Sequence, residues 1–513
     1  MNEITVLPPN VSKAEFARAI AEYRKILGNH NVIVDMERLA PYKKIMVPNP
    51  EQQHAPAGAL IAESVEQVQA VLAVCSKYRI PVWPISTGKN FGYGTAAPAV
   101  PGQMVLDLKR MNKILEFDPV LGTVLLEPGV TYQQLQTYID ERNLPFWIAG
   151  PGAGSLVGPV GQSLERGIGY TPYGDHFAHS CGMEVVLASG EVLRTGSGGI
   201  TNTKAWQSHK YGYGPVLDGL FSQSNFGIVT KLGLWLMPAP ATYKPFLVAF
   251  ANHEDIGKAV EITQQLRLKG VIQNTAVIGH ALYALAWFAR RADIYTEPGS
   301  VTDEWLTNFL KPKRLPVWGV NAALYGSEER VAADWKTVIE AFKDSGGMLL
   351  TQEQLGGDPA WEHGKGLMAG RLDMVEYGLY NWRGGGGSAW FAPVMQARGF
   401  EALKTMRLGK SILAEYGFDF MGGYMVNPRD MTLVIDLLFD RSNPAELQKA
   451  HECFGRLIRE FGAQGYGVYR TNIAFMEQVA DIYGPVKKIV NQRIKRALDP
   501  KGIIAPGKSG IRI

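Results

Sequence analysis

The segment "PVWPISTGKNFGYG", residues 81–94, decides the fold. A short β-rich run gives way to a loop with glycines at 88, 92 and 94. Before it stands "SVEQVQAVLAVCSKYRI" at 64–80, whose apolar residues recur at helical spacing behind a serine cap. Helix, strand and glycine-rich loop in that order mark an α/β domain. A loop of this kind presents successive backbone N–H groups to an anion, so a phosphate can be held without a large positive charge. It is not a Walker loop, because Lys89 is followed by asparagine and the glycine spacing is wrong; nor does it satisfy G-x-G-x-x-G. Taken alone, it reads equally well as a plain turn.

Working outward, "SKAEFARAIAEYRKILG" at 12–28 is a second capped amphipathic helix, and strands are expected at 104–108, 123–129 and in the hairpin 183–196, turning at Ser189 and Gly190. The prolines between 238 and 245 mark a boundary. A second region opens with the helix "HEDIGKAVEITQQLRLKG" and alternates helices with strands such as "PVWGVNAALYG" and "MTLVIDLLFD" to about residue 465. Loops and one basic helix follow. The division expected is 1–238 plus 466–513 against 239–465, with no internal repeat.

The 513 residues are 46% hydrophobic and 19% charged, an ordinary globular composition for two or three domains. A net charge of +4 without long basic runs argues against nucleic acid as a partner. Cys75, Cys181 and Cys453 are too widely spaced for a disulfide framework or a zinc site, so buried thiols and no metal are expected. No run of about 18 apolar residues is present to span a membrane. The polar start "MNEITVLPPN" lacks the pattern of an export leader, so a soluble protein without its own signal peptide is expected.

A second glycine-dense stretch, "GPVGQSLERGIGYTPYGDH" at 158–176, leads directly into the hairpin. With "ISTGKNFGYG" it resembles the flavin-binding half of the vanillyl-alcohol oxidase and para-cresol methylhydroxylase family, and the likeness extends from "HAPAGAL" at 54–60 to "LDPKGIIAPGKSG" at 498–510. The resemblance implies an α+β, two-domain FAD-binding fold: an α/β FAD domain and an antiparallel-sheet cap domain over the substrate. It implies that Ile85, Ser86, Thr87, Gly88, Lys89, Asn90 and Phe91 wrap the FAD pyrophosphate. Gly161, Gly169, Gly174, Asp175 and His176 would lie along the flavin, Glu184 and Val185 near the adenine, and Gly227 and Ile228 would complete the cofactor set. Lys89 departs from the family's common arginine, which would lose a bidentate phosphate fork.

A para-alkylphenol gives up a benzylic hydride far more readily as the phenolate, because the ring oxygen's charge flows into a quinone methide. Lowering a phenol pKa of about 10 by about three pH units requires about 4 kcal/mol. One arginine and two tyrosine hydroxyls, at about 1–3 kcal/mol each, suffice. "GVYRTN" supplies Tyr469 and Arg470, and "FGYG" supplies Tyr93. On residue type alone the Tyr-Arg pair reads as a strand residue beside a surface charge; the resemblance makes it, with Tyr93, the phenolate site, and adds Tyr170 to the substrate pocket.

In "EYGLYNWRGGGGSAWF" at 376–391, four consecutive glycines are bracketed by aromatics of the buried type, which argues against a floppy loop. The family attaches FAD to a histidine in its oxidases or to a tyrosine in its methylhydroxylases. Ser388 stands at the histidine's place, so the resemblance implies an 8α-O-tyrosyl bond at Tyr380, with the glycines letting the backbone lie close to the ring. Glu376 resembles an active-site carboxylate that takes up or relays protons after water adds; otherwise it is a surface glutamate. Ala153 replaces the oxidases' acid near the flavin. Gly423 replaces a second methylhydroxylase glutamate, which would leave room for substituents larger than methyl.

The sequence is accordingly expected to encode an FAD-dependent dehydrogenase of para-alkylphenols. It contains no C-x-x-C-H for haem, so the resemblance implies a separate c-type cytochrome subunit, together with a homodimer of flavoprotein subunits. Location is expected to follow that partner: periplasmic if co-exported, otherwise cytoplasmic. The rivals are an oxygen-dependent oxidase of the same fold, a 2-hydroxy-acid dehydrogenase, which would need cationic carboxylate binders, and a flavin-binding protein without catalysis.

Overall fold

In the computed structural model, which describes residues 6–513, the helix ahead of the glycine loop runs Val65–Tyr78. Residues 1–5, the first half of "MNEITVLPPN", lie outside the described residues. Ser64 caps the helix by accepting the Gln67 N–H at 3.3 Å, which stabilises it by about 1 kcal/mol. Val68, Val71, Leu72 and Cys75 recur at i, i+3, i+4 and i+7 and are all buried, and Arg79 in the left-handed region, at φ 54°, ends it. The helix is a crossover. Strands Gly58–Ile61 and Val82–Ile85 both run parallel to Met104–Asp107, which lies between them.

The second sheet is antiparallel, in the order Ile114–Asp118, Thr123–Leu126, Ile228–Trp235, Ser180–Val186, Val192–Arg194. Its last hairpin closes over Leu187–Glu191 instead of at Ser189 and Gly190 alone. The Leu187 N–H reaches the Glu191 carbonyl at 2.9 Å, with Gly190 at φ 91°.

Residues 242–439 build an antiparallel sheet whose central order is Thr242–Phe250, Trp318–Gly326, Ala276–His280, Gly422–Val426, Asp430–Phe439, Gly387–Phe391. One face carries Phe246, Val248, Ile278, Val320, Leu433 and Ile435, which form a core with helices Ile256–Leu268, Gly399–Glu415 and Pro444–Ala463. The opposite face is set by the register. Leu247 and Val277 both pair with Asn321, Gly279 with Gly423, Gly423 with Val434, and Trp390 with Asp436. Directly paired residues share a face, so two adjacent glycines and one carboxyl are aligned on the side away from the core.

The last segment holds two helices where one was expected, Met476–Ile482 and Pro485–Leu498, separated by Gly484 at φ 86° and Pro485. The following residues return to the first sheet: Val82 N–H donates to the Ile503 carbonyl at 2.8 Å, and Ala505 N–H to the Val82 carbonyl at 2.7 Å. Lys495, fully buried, pairs with Asp499 at 2.7 Å and donates to the carbonyls of Asn225 and Ile504. Cys75, Cys181 and Cys453 are buried free thiols, and burial pushes Cys75 up to about 12. Among the described residues, no helix is long and apolar enough to cross a membrane.

Candidate active site

A groove runs between the first two sheets, lined by Ile85, Ser86, Thr87, Gly88, Lys89, Asn90, Gly161, Gly227, Ile228, Arg470 and Lys508. Its walls need bare backbone: a Cβ on Gly161 would meet Ser86 Oγ at 2.3 Å, and one on Gly227 would meet Val185 Cγ1 at 2.4 Å. Among the described residues, the N–H groups of Thr87 to Asn90 meet no protein acceptor, which leaves them free for an anion. The glycine loop then folds inward. Gly92, at φ 70°, passes so close to Trp390 that a Cβ would lie 2.2 Å from its Cδ1, and Phe91 packs edge-on to Tyr377 at 5.4 Å and tilted to Tyr380 at 6.1 Å.

At the end of this groove Arg470 lies over the Tyr93 ring at 4.0 Å, its side chain 8% exposed. Its guanidinium donates to Asn90 and stands 3.8 Å from Glu165, while Nε has no hydrogen-bond partner. Burial raises the Tyr93 phenol well above its ordinary value; Tyr469 adds to this and Arg470 opposes it. Lys508 also pairs with Glu165, and the two cations outweigh burial in holding that carboxylate below its ordinary range.

Next to these residues a cavity of about 390 Å³ opens along the bare face of the large sheet. Val277, Gly279, Tyr283, Trp287, His363 and Leu367 line it, with Tyr170 and Glu376 among the walls. Glu376 lies so close to Gly152 that a Cβ there would come within 2.3 Å of its carboxylate oxygens. Tyr170 joins the two regions: burial, Glu376 and Tyr469 all raise its phenol. Gly423 would carry a Cβ 3.0 Å from the Ile278 carbonyl, and a Cβ on Gly279 would meet nothing within 4 Å. The space expected at Gly423 is not seen there, since a Cβ would press on backbone and Gly423 is not among the cavity walls; the open position is Gly279, across the strand pair.

Tyr380 sits half-buried in the turn Val375–Asn381, its phenol raised by desolvation and by Asp436 and Glu376. Ser388 Oγ donates to Asp436 Oδ1 at 2.7 Å, and Asp436 Oδ2 has no partner. The glycines after Tyr380 form a turn. Gly384, Gly385 and Gly386 all have positive φ, two of them are exposed, and a Cβ on Gly385 would strike Asp440; they make the turn into strand Gly387–Phe391.

Several expected cofactor residues lie outside the groove lining. Gly169 donates its N–H to the Gly174 carbonyl at 2.8 Å, Gly174 donates to the Thr171 carbonyl at 2.9 Å, and Asp175 Oδ1 accepts from the Ala178 N–H at 2.9 Å. His176 is buried with both ring nitrogens unpartnered and burial lowers it to about 4. Glu184 is committed to Arg194 and Lys231, each at 2.9 Å, within the second sheet, and Val185 packs against Gly227. Residue reasoning missed Glu165, Lys508, His363 and Asp436. Asp436 carried a signal: it is the one charge inside "TLVIDLLF".

Residues 56–196 match the family model described as FAD binding domain. The flavoprotein subunit of 4-cresol dehydrogenase [hydroxylating] from Pseudomonas putida is 48% identical over 508 residues, covering 99% of this chain and 98% of that protein. The chain belongs to this flavoprotein family. A crystal structure of p-cresol methylhydroxylase with substrate bound superposes at TM-score 0.97, with 48% identity and 99% of each chain covered. A 4-ethylphenol oxidase from Gulosibacter chungangensis in complex with isoeugenol superposes at 0.95, with 33% identity over 98% of this chain and 99% of that one. The fold is thus the two-part FAD-binding fold with antiparallel cap sheet, and the protein is an FAD-dependent oxidoreductase. The groove fits FAD on its own terms, through its unpaired N–H groups and its glycine walls.

Proposed function

We propose that this protein hydroxylates para-alkylphenols at the benzylic carbon, passing the electrons to a c-type cytochrome subunit. The observation that carries the reading is Arg470 stacked on Tyr93 beside Tyr469, joined through Tyr170 to an apolar cavity walled by Glu376. FAD, when bound, supplies the hydride acceptor. The protein's part is to hold the substrate as phenolate. Arg470 donates through Nε, and Tyr93 and Tyr469 through their hydroxyls, to the ring oxygen, which keeps negative charge there and favours hydride loss at the para carbon. The alkyl group then lies along Gly279, in the apolar cavity. Glu376 accepts the proton of the water that adds to the quinone methide.

Within this reading 1–238 with 466–513 is the cofactor half and 239–465 the cap, Tyr380 carries the flavin covalently, and flavoprotein subunits pair as a homodimer. The likeness to a 4-ethylphenol oxidase favours oxygen as the alternative acceptor; serine at 388 and alanine at 153 favour the cytochrome. Location follows the partner, periplasmic with an exported cytochrome and cytoplasmic without. The test is anaerobic flavin bleaching with para-cresol, 4-ethylphenol, vanillyl alcohol, eugenol and a 2-hydroxy acid in parallel, followed by reoxidation with cytochrome or with oxygen. Bleaching by alkylphenols and faster reoxidation by cytochrome are expected; bleaching by 2-hydroxy acids alone, or by nothing, overturns the reading.

A further inference from the structure

Among the buried titratable groups that the roles above leave unused, His363 stands beside Glu376. His363 is 1% exposed and carries a carboxylate at each ring nitrogen: Nδ1 stands 2.7 Å from Asp373 Oδ1 and Nε2 3.4 Å from Glu376 Oε1. The three side chains form a line from the cavity to the surface, since Glu376 is 12% exposed and Asp373 42%.

The line is held from several sides. Helix Pro359–Met368, capped by Asp358 on the Trp361 N–H at 2.8 Å, positions the imidazole. Trp287 packs edge-on against it at 4.9 Å, and the Val375 N–H fixes Asp373 Oδ1 at 3.0 Å. On the same helix Glu362 and Lys365 pair with each other. The charged groups facing the ring are therefore Asp373 and Glu376, with the Tyr170 and Tyr283 phenols beyond Glu376. Burial works against a proton on His363, and the two carboxylates outweigh it, holding the group above the ordinary histidine value.

We infer that His363 and Asp373 are a proton exit from Glu376 to solvent, used when water adds to the oxidised substrate. The inference rests on the alkylphenol reading. Hydride loss leaves a neutral quinone methide. Water oxygen bonds to the benzylic carbon, the ring carbonyl takes the π electron pair and becomes phenolate, and the water's proton goes to Glu376. Glu376 gives that proton to Nε2 of a neutral His363 protonated at Nδ1, the Nδ1 proton passes to Asp373 and on to bulk water, and a turn of the ring restores the starting tautomer. Each turnover returns Glu376 to the carboxylate. Without the exit, Glu376 stays protonated and cannot accept from the next water. His363 acts through Glu376 and is a positioning and relay residue rather than a catalytic one.

The test uses holoenzyme and 4-ethylphenol, whose alcohol product is chiral. Flavin bleaching in the parent enzyme tests the substrate reading by itself. In His363→Gln, alcohol formation is expected to slow about tenfold more than flavin reduction. The product should also drift toward the racemate, as quinone methide escapes and hydrates in bulk water. In His363→Ala, added imidazole should restore rate and enantiomeric excess, and Asp373→Asn should show the same pattern more weakly. Unchanged alcohol rate and enantiomeric excess in His363→Gln overturns the inference. So does equal loss of both half-reactions in His363→Ala without imidazole rescue, which marks a structural role.

Discussion

Asp436→Asn should make the protein more stable in mildly alkaline solution than the parent, relative to acid. Asp436 is completely buried, with one oxygen bonded to Ser388 and the other unpartnered. Burial, with the charge of Glu376 adding to it, raises its carboxyl from 3.8 to about 7 against the lowering effect of Ser388 and the Ala389 N–H. An acid that binds its proton more tightly when folded stabilises the fold only while protonated. Its contribution is complete below about pH 4 and falls by about 1.4 kcal/mol per pH unit up to about 7, levelling off about 4 kcal/mol lower. Asparagine does not titrate, and its Oδ1 can keep the Ser388 hydrogen bond. In equilibrium urea unfolding, the stability of the variant relative to the parent should improve by about 3 kcal/mol between pH 5 and pH 8. Parallel pH curves, or a variant that loses ground toward pH 8, would refute the buried-acid argument.

Arg470→Ala and Tyr469→Phe should each slow anaerobic flavin reduction by tenfold or more, an effect of about 1–3 kcal/mol, while leaving the flavin bound; unchanged rates with a saturating phenol would remove them from the mechanism. Tyr380→Phe, prepared with the cytochrome partner, should release its flavin on acid denaturation while the parent keeps fluorescence on a gel, and fluorescence persisting in the variant would count against attachment there. Gly279→Val places two methyls into open space on the sheet face and should raise KM for 4-propylphenol about tenfold relative to para-cresol, measured with an artificial electron acceptor.

What the sequence disclosed was local or family-wide in character. The helix before the glycine loop could be read because cap, apolar period and stop all lie within 64–79. Tyr93, Tyr469 and Arg470 were found by their motifs, although 376 residues separate the first two and only folding brings Arg470 over the Tyr93 ring. His363 escaped because a single histidine on an amphipathic helix has no period of its own, and its meaning comes from carboxylates 10 and 13 residues further on. The Glu165–Lys508 pair spans 343 positions. The turn at Gly384–Gly386 was hidden for a related reason: conformational freedom is visible in a sequence, but Asp440, which a Cβ on Gly385 would strike, lies just past the end of the neighbouring strand.

The return of residues 495–511 to the first sheet also constrains how the protein is made. Strand Val82–Ile85 exchanges hydrogen bonds with Ile503 and Ala505, and the buried Lys495–Asp499 pair ties those residues to Asn225. Removing either partner of such a pair strands a charge, at about 3–5 kcal/mol. The ribosome synthesises these residues after every strand they brace, and after the whole region between 239 and 465. The glycine loop therefore waits, through most of translation, for the segment that completes its support. Cofactor capture belongs to the finished chain, and a truncation beyond Asp499 would produce a protein whose large antiparallel sheet can assemble while its nucleotide groove stays open.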